Sequence, residues 1–107
     1  MDISVIFATS RRQDILRKTL TSFCELDIEG LQWEILLVDN ANEEKTATIV
    51  REFSQKLPLT YLVEPRIGKS FALNTAIPKV KGSVCLITDD DIIADRRWLI
   101  NTWNGVQ

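Results

Sequence analysis

The sequence predicts an α/β fold, with alternating β-α units forming a mainly parallel sheet of about four strands. Three observations carry this. Short runs rich in β-branched and aromatic residues recur four times along the 107 residues. Each is followed by a segment whose apolar positions recur at helical spacing, and polar or turn-forming residues mark every transition. Strands alternating with helices imply right-handed crossovers, with helices on the faces of the sheet.

Ile3 to Ala8 reads as the first strand, because it is apolar on both faces and crowded with β-branched and aromatic side chains. Asp14 is expected to cap a helix that buries Ile15, Leu16, Thr19, Leu20 and Phe23 and leaves Arg17 and Lys18 to water. Trp33 to Val38 is the second strand, stopping at Asp39-Asn40-Ala41-Asn42. Asn42 is expected to cap the next helix, with Glu43 and Glu44 in its first turn, where the helix dipole favours them. Ile49, Val50 and Phe53 form its buried stripe. Leu59 to Val63 is a third, shorter strand. Lys69 to about Ile77 reads as a helix burying Leu73, Ala76 and Ile77, with Pro78 as a stop. Ser83 to Thr88 is the fourth strand, running into Asp89-Asp90-Asp91, and Asp95 is expected to cap a last helix.

The composition is that of one globular domain, 45% hydrophobic and 26% charged. With 13 basic and 15 acidic residues the net charge is -2, so no bulk field favours nucleic acid or an anionic membrane. An anionic ligand must then be held locally. The absence of histidine removes His-based triads and His-ligated zinc. Cys24 and Cys85 lack metal-ligand spacing, and Cys85 is expected to be a small buried thiol. Neither a signal peptide nor a membrane span is legible, so the expected location is cytoplasmic.

In a parallel sheet, ligands gather at the carboxyl ends of the strands. Ala8-Thr9-Ser10, Asp39-Asn40 and Asp89-Asp90-Asp91 all fall at such ends. Three adjacent carboxylates repel one another and call for a cation, and magnesium or manganese would accept one or two of them together with waters and substrate phosphates. If the segment stays extended, Asp89 and Asp91 face one site and Asp90 faces elsewhere. A solvated acidic turn is the plain alternative. For Asp39 the alternatives are a helix-entrance turn and a carboxylate accepting from a nucleobase N–H. Gly68-Lys69-Ser70 is not a Walker A loop, since Val63 stands where that pattern needs glycine. Arg66 and Lys69, like Arg11-Arg12, read either as solvated charge or as phosphate contacts.

Taken in order, Ser4-Val5-Ile6-Phe7-Ala8-Thr9, Glu34 to Asn40, Glu64-Pro65-Arg66-Ile67-Gly68-Lys69-Ser70 with Ala72-Leu73-Asn74, and Asp89-Asp90-Asp91 with Trp98-Leu99 resemble family 2 glycosyltransferases of the GT-A fold. The likeness spans roughly residues 3 to 99. It implies a partial GT-A, Rossmann-like sheet and a nucleotide-diphosphate sugar donor, a UDP or GDP sugar, transferred with inversion to an acceptor hydroxyl. It also implies Thr9 beside the nucleotide, Asp39 on the base, Arg66 and Lys69 in the surrounding loop, and Asp90 near the ribose or donor sugar. Asp91 and Asp89 become the ligands of Mn2+ or Mg2+. The chain departs from the family at Ala8-Thr9-Ser10-Arg11, where Pro-Thr, an aromatic and Asn or Arg are usual.

On this resemblance residues 1–107 are the nucleotide-sugar-binding portion, cut before the acceptor half, with the general base expected beyond Gln107. The isolated chain is then expected to bind nucleotide weakly and to transfer sugar poorly or not at all. The rival readings are a noncatalytic nucleotide-binding or oligomerising fragment, with Trp98, Ile100 and Trp103 exposed, and a nucleotidyltransferase. The latter would need a glycine-rich loop after the first strand.

Overall fold

The computed structural model describes residues 1–106. Four strands, β1 (Ile3–Thr9), β2 (Trp33–Asp39), β3 (Leu59–Val63) and β4 (Val84–Ile87), form one sheet in the order β3-β2-β1-β4, and every pairing is parallel. Helices α1 (Gln13–Cys24), α2 (Glu44–Phe53) and α3 (Lys69–Ala76) provide the crossovers, and α4 (Trp98–Gly105) follows β4. A short 3₁₀ turn at Ile77–Lys79 ends α3, where Pro78 cannot continue the helix.

The central strands bury both faces. Val5, Phe7, Ile35 and Leu37 pack against Leu16, Leu20 and Phe23 of α1, with Ile49 and Val50 of α2 in the same cluster, while Ile6, Leu36 and Val38 meet Ala72 and Ala76 of α3. Each large apolar side chain so buried contributes about 1.5–3 kcal/mol. At the amino ends of the strands, Gly82 lies against β1, where an added Cβ would sit 2.5 Å from the Ser4 nitrogen. Only glycine fits there, and its N–H donates to the Ser4 hydroxyl at 2.8 Å.

Several local expectations are corrected. Asp14, Asn42 and Asp95 do not cap their helices: the cap positions are Arg12, Glu43 and Arg97, none with a side-chain cap bond. Asp95 instead accepts from the Arg97 N–H in a turn ahead of α4. Ile15 and Ile77 are exposed, because α1 turns Leu16 and Leu20 inward and α3 has already ended at Ile77. Cys85 is exposed too, since β4 is an edge strand and α3 covers only its neighbours. The surface expected to drive association is mostly consumed internally: Ile100 is buried, and Trp98 stacks on Phe23 with ring centroids 5.4 Å apart.

This topology positions a site. The chain steps outward from β1 to β2 to β3, then returns across the sheet to place β4 on the other side of β1. The strand order therefore switches between β1 and β4, which opens a crevice at their carboxyl ends.

Candidate functional site

Register decides the shape of this crevice. β1 and β2 end together, with Thr9 opposite Asp39, but β4 pairs only as far as Ile6 with Ile87. β1 thus overhangs β4 by three residues. Beyond Ile87 the chain turns, and Asp90 folds back to meet the overhang. Its buried carboxylate accepts from the Thr9 hydroxyl at 2.8 Å and from Arg12 at 3.1 Å, while its carbonyl accepts from the Thr19 hydroxyl of α1 at 2.6 Å.

Within the acidic triplet Asp90 is buried, while Asp89 and Asp91 are exposed. The segment does not stay extended: Asp90 and Asp91 lie in a turn, and Asp89 and Asp91 pair with different cations. Asp89 accepts from the Lys69 ammonium at 2.7 Å, and Asp91 from the second Arg12 nitrogen at 3.4 Å. The Lys69 bond holds the Asp89 carboxyl below its ordinary range and raises the Lys69 ammonium in turn. A cavity of about 230 Å³ is lined by Thr9, Ser10, Arg12, Asn40, Lys69, Thr88, Asp89 and Asp90, among others; Asp39, Arg66 and Asp91 are not part of its lining.

Asp39 is fully buried beneath this rim. Its Oδ1 accepts from the N–H groups of Ala41 and Asn42 and its Oδ2 from that of Glu43, all at 2.9 Å, and the Tyr61 hydroxyl donates to Oδ2 at 2.6 Å. These bonds hold the tight loop in which Asn42 adopts the left-handed region at φ 54°. Burial, followed by the bond to Asp39, pushes the Tyr61 hydroxyl pKa up.

Asn40 staples the neighbouring loop, donating to the carbonyls of Glu64 and Arg66 and accepting from the Gly68 N–H. Gly68 sits at φ 133°, a conformation that a side chain would strain. The buried Glu64 accepts from the backbone and guanidinium of Arg66 and from Thr75, which takes its carboxyl pKa down to about 2, with the Arg66 side chain as the largest cause. Arg66 is thereby held against Glu64 and over the Phe71 ring, 4.5 Å from its centroid.

Glu64 and Thr88 were given no site role from the sequence, Asn40 was placed only at a strand end, and Arg12 was left open between solvated charge and a phosphate contact. Arg12 carried only the signal of a basic pair after a strand, since its partners lie 78 and 79 residues away. Asn40 carried the signal of an Asx residue at a strand end.

Among the described residues, no three His, Cys, Asp or Glu side chains converge as a metal cage. The residues do suit a hard cation that arrives with a diphosphate. The carboxylates of Asp89 and Asp91 are 63% and 49% exposed beside the cavity, and such a cation takes one or two carboxylates with waters and phosphate oxygens as its remaining ligands. A larger concavity, about 630 Å³, runs along the outer face of α1 from Asp14 to Glu25 with Ile93 at its edge. It shares no lining residue with the smaller cavity and gathers no such set.

Over residues 4–106 the chain matches the family model described as Glycosyl transferase family 2. It is 25% identical over 93 residues to the beta-monoglucosyldiacylglycerol synthase of Trichormus variabilis, a match covering 83% of this chain and 20% of the relative. A crystal structure of Staphylococcus aureus TarS superposes with a TM-score of 0.89 at 23% identity, over 99% of this chain and 32% of the other. A Pyrobaculum calidifontis mannosyltransferase in complex with GDP-Man and Mn2+ gives a TM-score of 0.81 at 30% identity, over 97% and 31%. The chain spans about a third or less of each of these proteins. The sheet order and crossovers are those of a Rossmann-like portion of a GT-A fold. By its sequence from Ser4 to Val106, the chain belongs to glycosyl transferase family 2.

Proposed function

We propose that residues 1–107 carry donor binding in an inverting glycosyl transfer: they hold a nucleotide-diphosphate sugar and its divalent cation for attack by an acceptor hydroxyl. The observation that carries this reading is the buried Asp90 carboxylate, which ties Thr9 of β1 to Arg12 at the switch point between β1 and β4. Support for the donor class comes from the relatives. The mannosyltransferase was solved with GDP-Man and Mn2+, and TarS with UDP-GlcNAc.

In this reading Thr9 and Asp90 border the ribose and donor sugar, and Lys69 faces the diphosphate. Arg66, held by Glu64, flanks the nucleotide. Asp39 contacts the base: three of its four bonds go to backbone N–H groups and fix its orientation, and the Tyr61 hydroxyl is the partner that a base N–H would replace. Asp89 and Asp91 would hold Mn2+ or Mg2+. That cation supplies charge neutralisation on the departing nucleoside diphosphate.

The proton of the acceptor hydroxyl needs a base on the face opposite the leaving group. The cavity's own carboxylates, Asp89 and Asp90, are engaged with Lys69, Arg12 and Thr9 on the donor side, so we assign the base to no residue here. The free Cys24 and Cys85 favour a reducing, cytoplasmic setting, and no helix among the described residues is long and apolar enough to cross a membrane.

Calorimetric titration with UDP and with GDP, each with and without Mn2+, tests the reading. Metal-dependent binding of one nucleotide is expected, and Asp90→Ala should weaken it by about tenfold or more, as loss of a buried charged partner does. Equal binding by Asp90→Ala, or no binding by either protein, would overturn the proposal.

A further inference from the structure

We infer that Arg12 and Lys69 are exchangeable counter-ions of the acidic rim: they neutralise Asp89, Asp90 and Asp91 until a metal-bound diphosphate arrives, then move from carboxylate to phosphate. The inference rests on the donor-site reading above and adds a coupling between metal and nucleotide which that reading does not require.

Two features make the exchange feasible. Lys69 and Asp89 are 57% and 63% exposed at their contact, and such pairs hold about 0–1 kcal/mol, so separating them costs little. Arg12 is 43% exposed and divides its guanidinium between the buried Asp90 and the exposed Asp91 with single bonds of 3.1 and 3.4 Å, short of the bidentate fork that gives arginine its strongest grip, and Asp90 keeps the Thr9 hydroxyl as a partner when the guanidinium leaves. Both cations line the same cavity as Asp89 and Asp90. Their swing to a bound diphosphate is therefore short.

The charge balance sets the direction of the coupling. Two cationic side chains face three carboxylates, so the rim is close to neutral as it stands. A divalent ion arriving alone must take carboxylates already held by Lys69 and Arg12 and then sits beside two displaced positive charges. With a diphosphate present, both side chains regain charged partners, and the phosphate bonds are charge-assisted. Metal and nucleotide therefore bind with positive cooperativity, by about fivefold or more, each raising the affinity for the other by the same factor.

Lys69→Met separates this from a merely structural role, because its two expected effects have opposite signs. Affinity for Mn2+ alone should rise about two- to fivefold, the equivalent of an exposed ion pair released. Affinity for UDP or GDP at saturating Mn2+ should fall about tenfold. Lys69→Arg should restore both, and Arg12→Gln should move both in the same directions as Lys69→Met. Circular dichroism on each variant reports retention of the fold. A Lys69→Met protein with unchanged or weakened Mn2+ affinity overturns the exchange. Failure of the wild type to bind any nucleoside diphosphate would sink the donor-site reading instead, while the Mn2+ titrations would still decide whether Lys69 competes with metal.

Discussion

Three of the four strands run into acid, and the carboxylates at the ends of β2 and β4 are held in different ways. After β2, Asp39 is spent on its own loop: three backbone N–H groups within four residues and one tyrosine hydroxyl account for its bonds. After β4, Asp89 and Asp91 take their side-chain partners from far along the chain, Lys69 and Arg12, and meet them in solvent. Asp90 stands between the two cases, buried like Asp39 but paired at long range with Thr9 and Arg12. A carboxylate closed by adjacent backbone is fixed by the scaffold, and at Asp39 the Tyr61 hydroxyl alone is left as a partner that a base could replace. One paired with exposed side chains from other elements keeps a partner that a ligand can replace.

Substitution tests this contrast most strongly. Asp39→Ala leaves three loop N–H groups without their acceptor and should lower unfolding free energy by about 3 kcal/mol, read by chemical denaturation. Asp89→Ala removes only an exposed pair and should leave the unfolding midpoint unchanged. Equal destabilisation by the two variants would erase the distinction.

A smaller effect is expected in acid. Glu64 is another internally satisfied carboxylate, with a pKa near 2 against the ordinary 4.5. Because the folded value is depressed, its stabilising contribution is complete above about pH 4.5 and is lost as pH falls toward 2. The loop from Glu64 to Gly68 should therefore keep its hydrogen-exchange protection above about pH 4.5 and lose it progressively as pH falls toward 2. In Glu64→Gln that pH dependence should vanish. Loop protection that falls at the same pH in both proteins would assign the transition to other groups.

Much of the fold was legible because apolar runs and turn residues are local signals. Leu59–Val63 is a strand with the bounds read from the sequence, and β1 and β2 each extend one residue further, to Thr9 and Asp39. The convergence of the three strand ends followed from parallel connectivity alone. What escaped depends on the third dimension. Cys85 looked buried because its neighbours are apolar, yet β4 is an edge strand. The backbone through Asp89, Asp90 and Asp91 was expected to stay extended, but β4 ends at Ile87 and a turn follows. Asp14, Asn42 and Asp95 had capping chemistry, but the helices start one to three residues from them. Arg12 could not be placed at the site from sequence, because nothing local distinguishes a guanidinium in solvent from one that reaches a carboxylate 78 residues away.

On the proposed function, a nucleoside diphosphate binds in the cavity between β1 and β4 and not in the larger concavity along α1. Backbone amide NMR of the chain, titrated with UDP or GDP and Mg2+, tests it most directly. Shifts should concentrate at Thr9, Ser10, Asn40, Lys69 and Thr88–Asp91, while Thr21, Ser22, Glu25 and Ile93 stay still. Shifts confined to the α1 face, or none at saturating metal and nucleotide, would exclude the β1–β4 cavity as the nucleotide site.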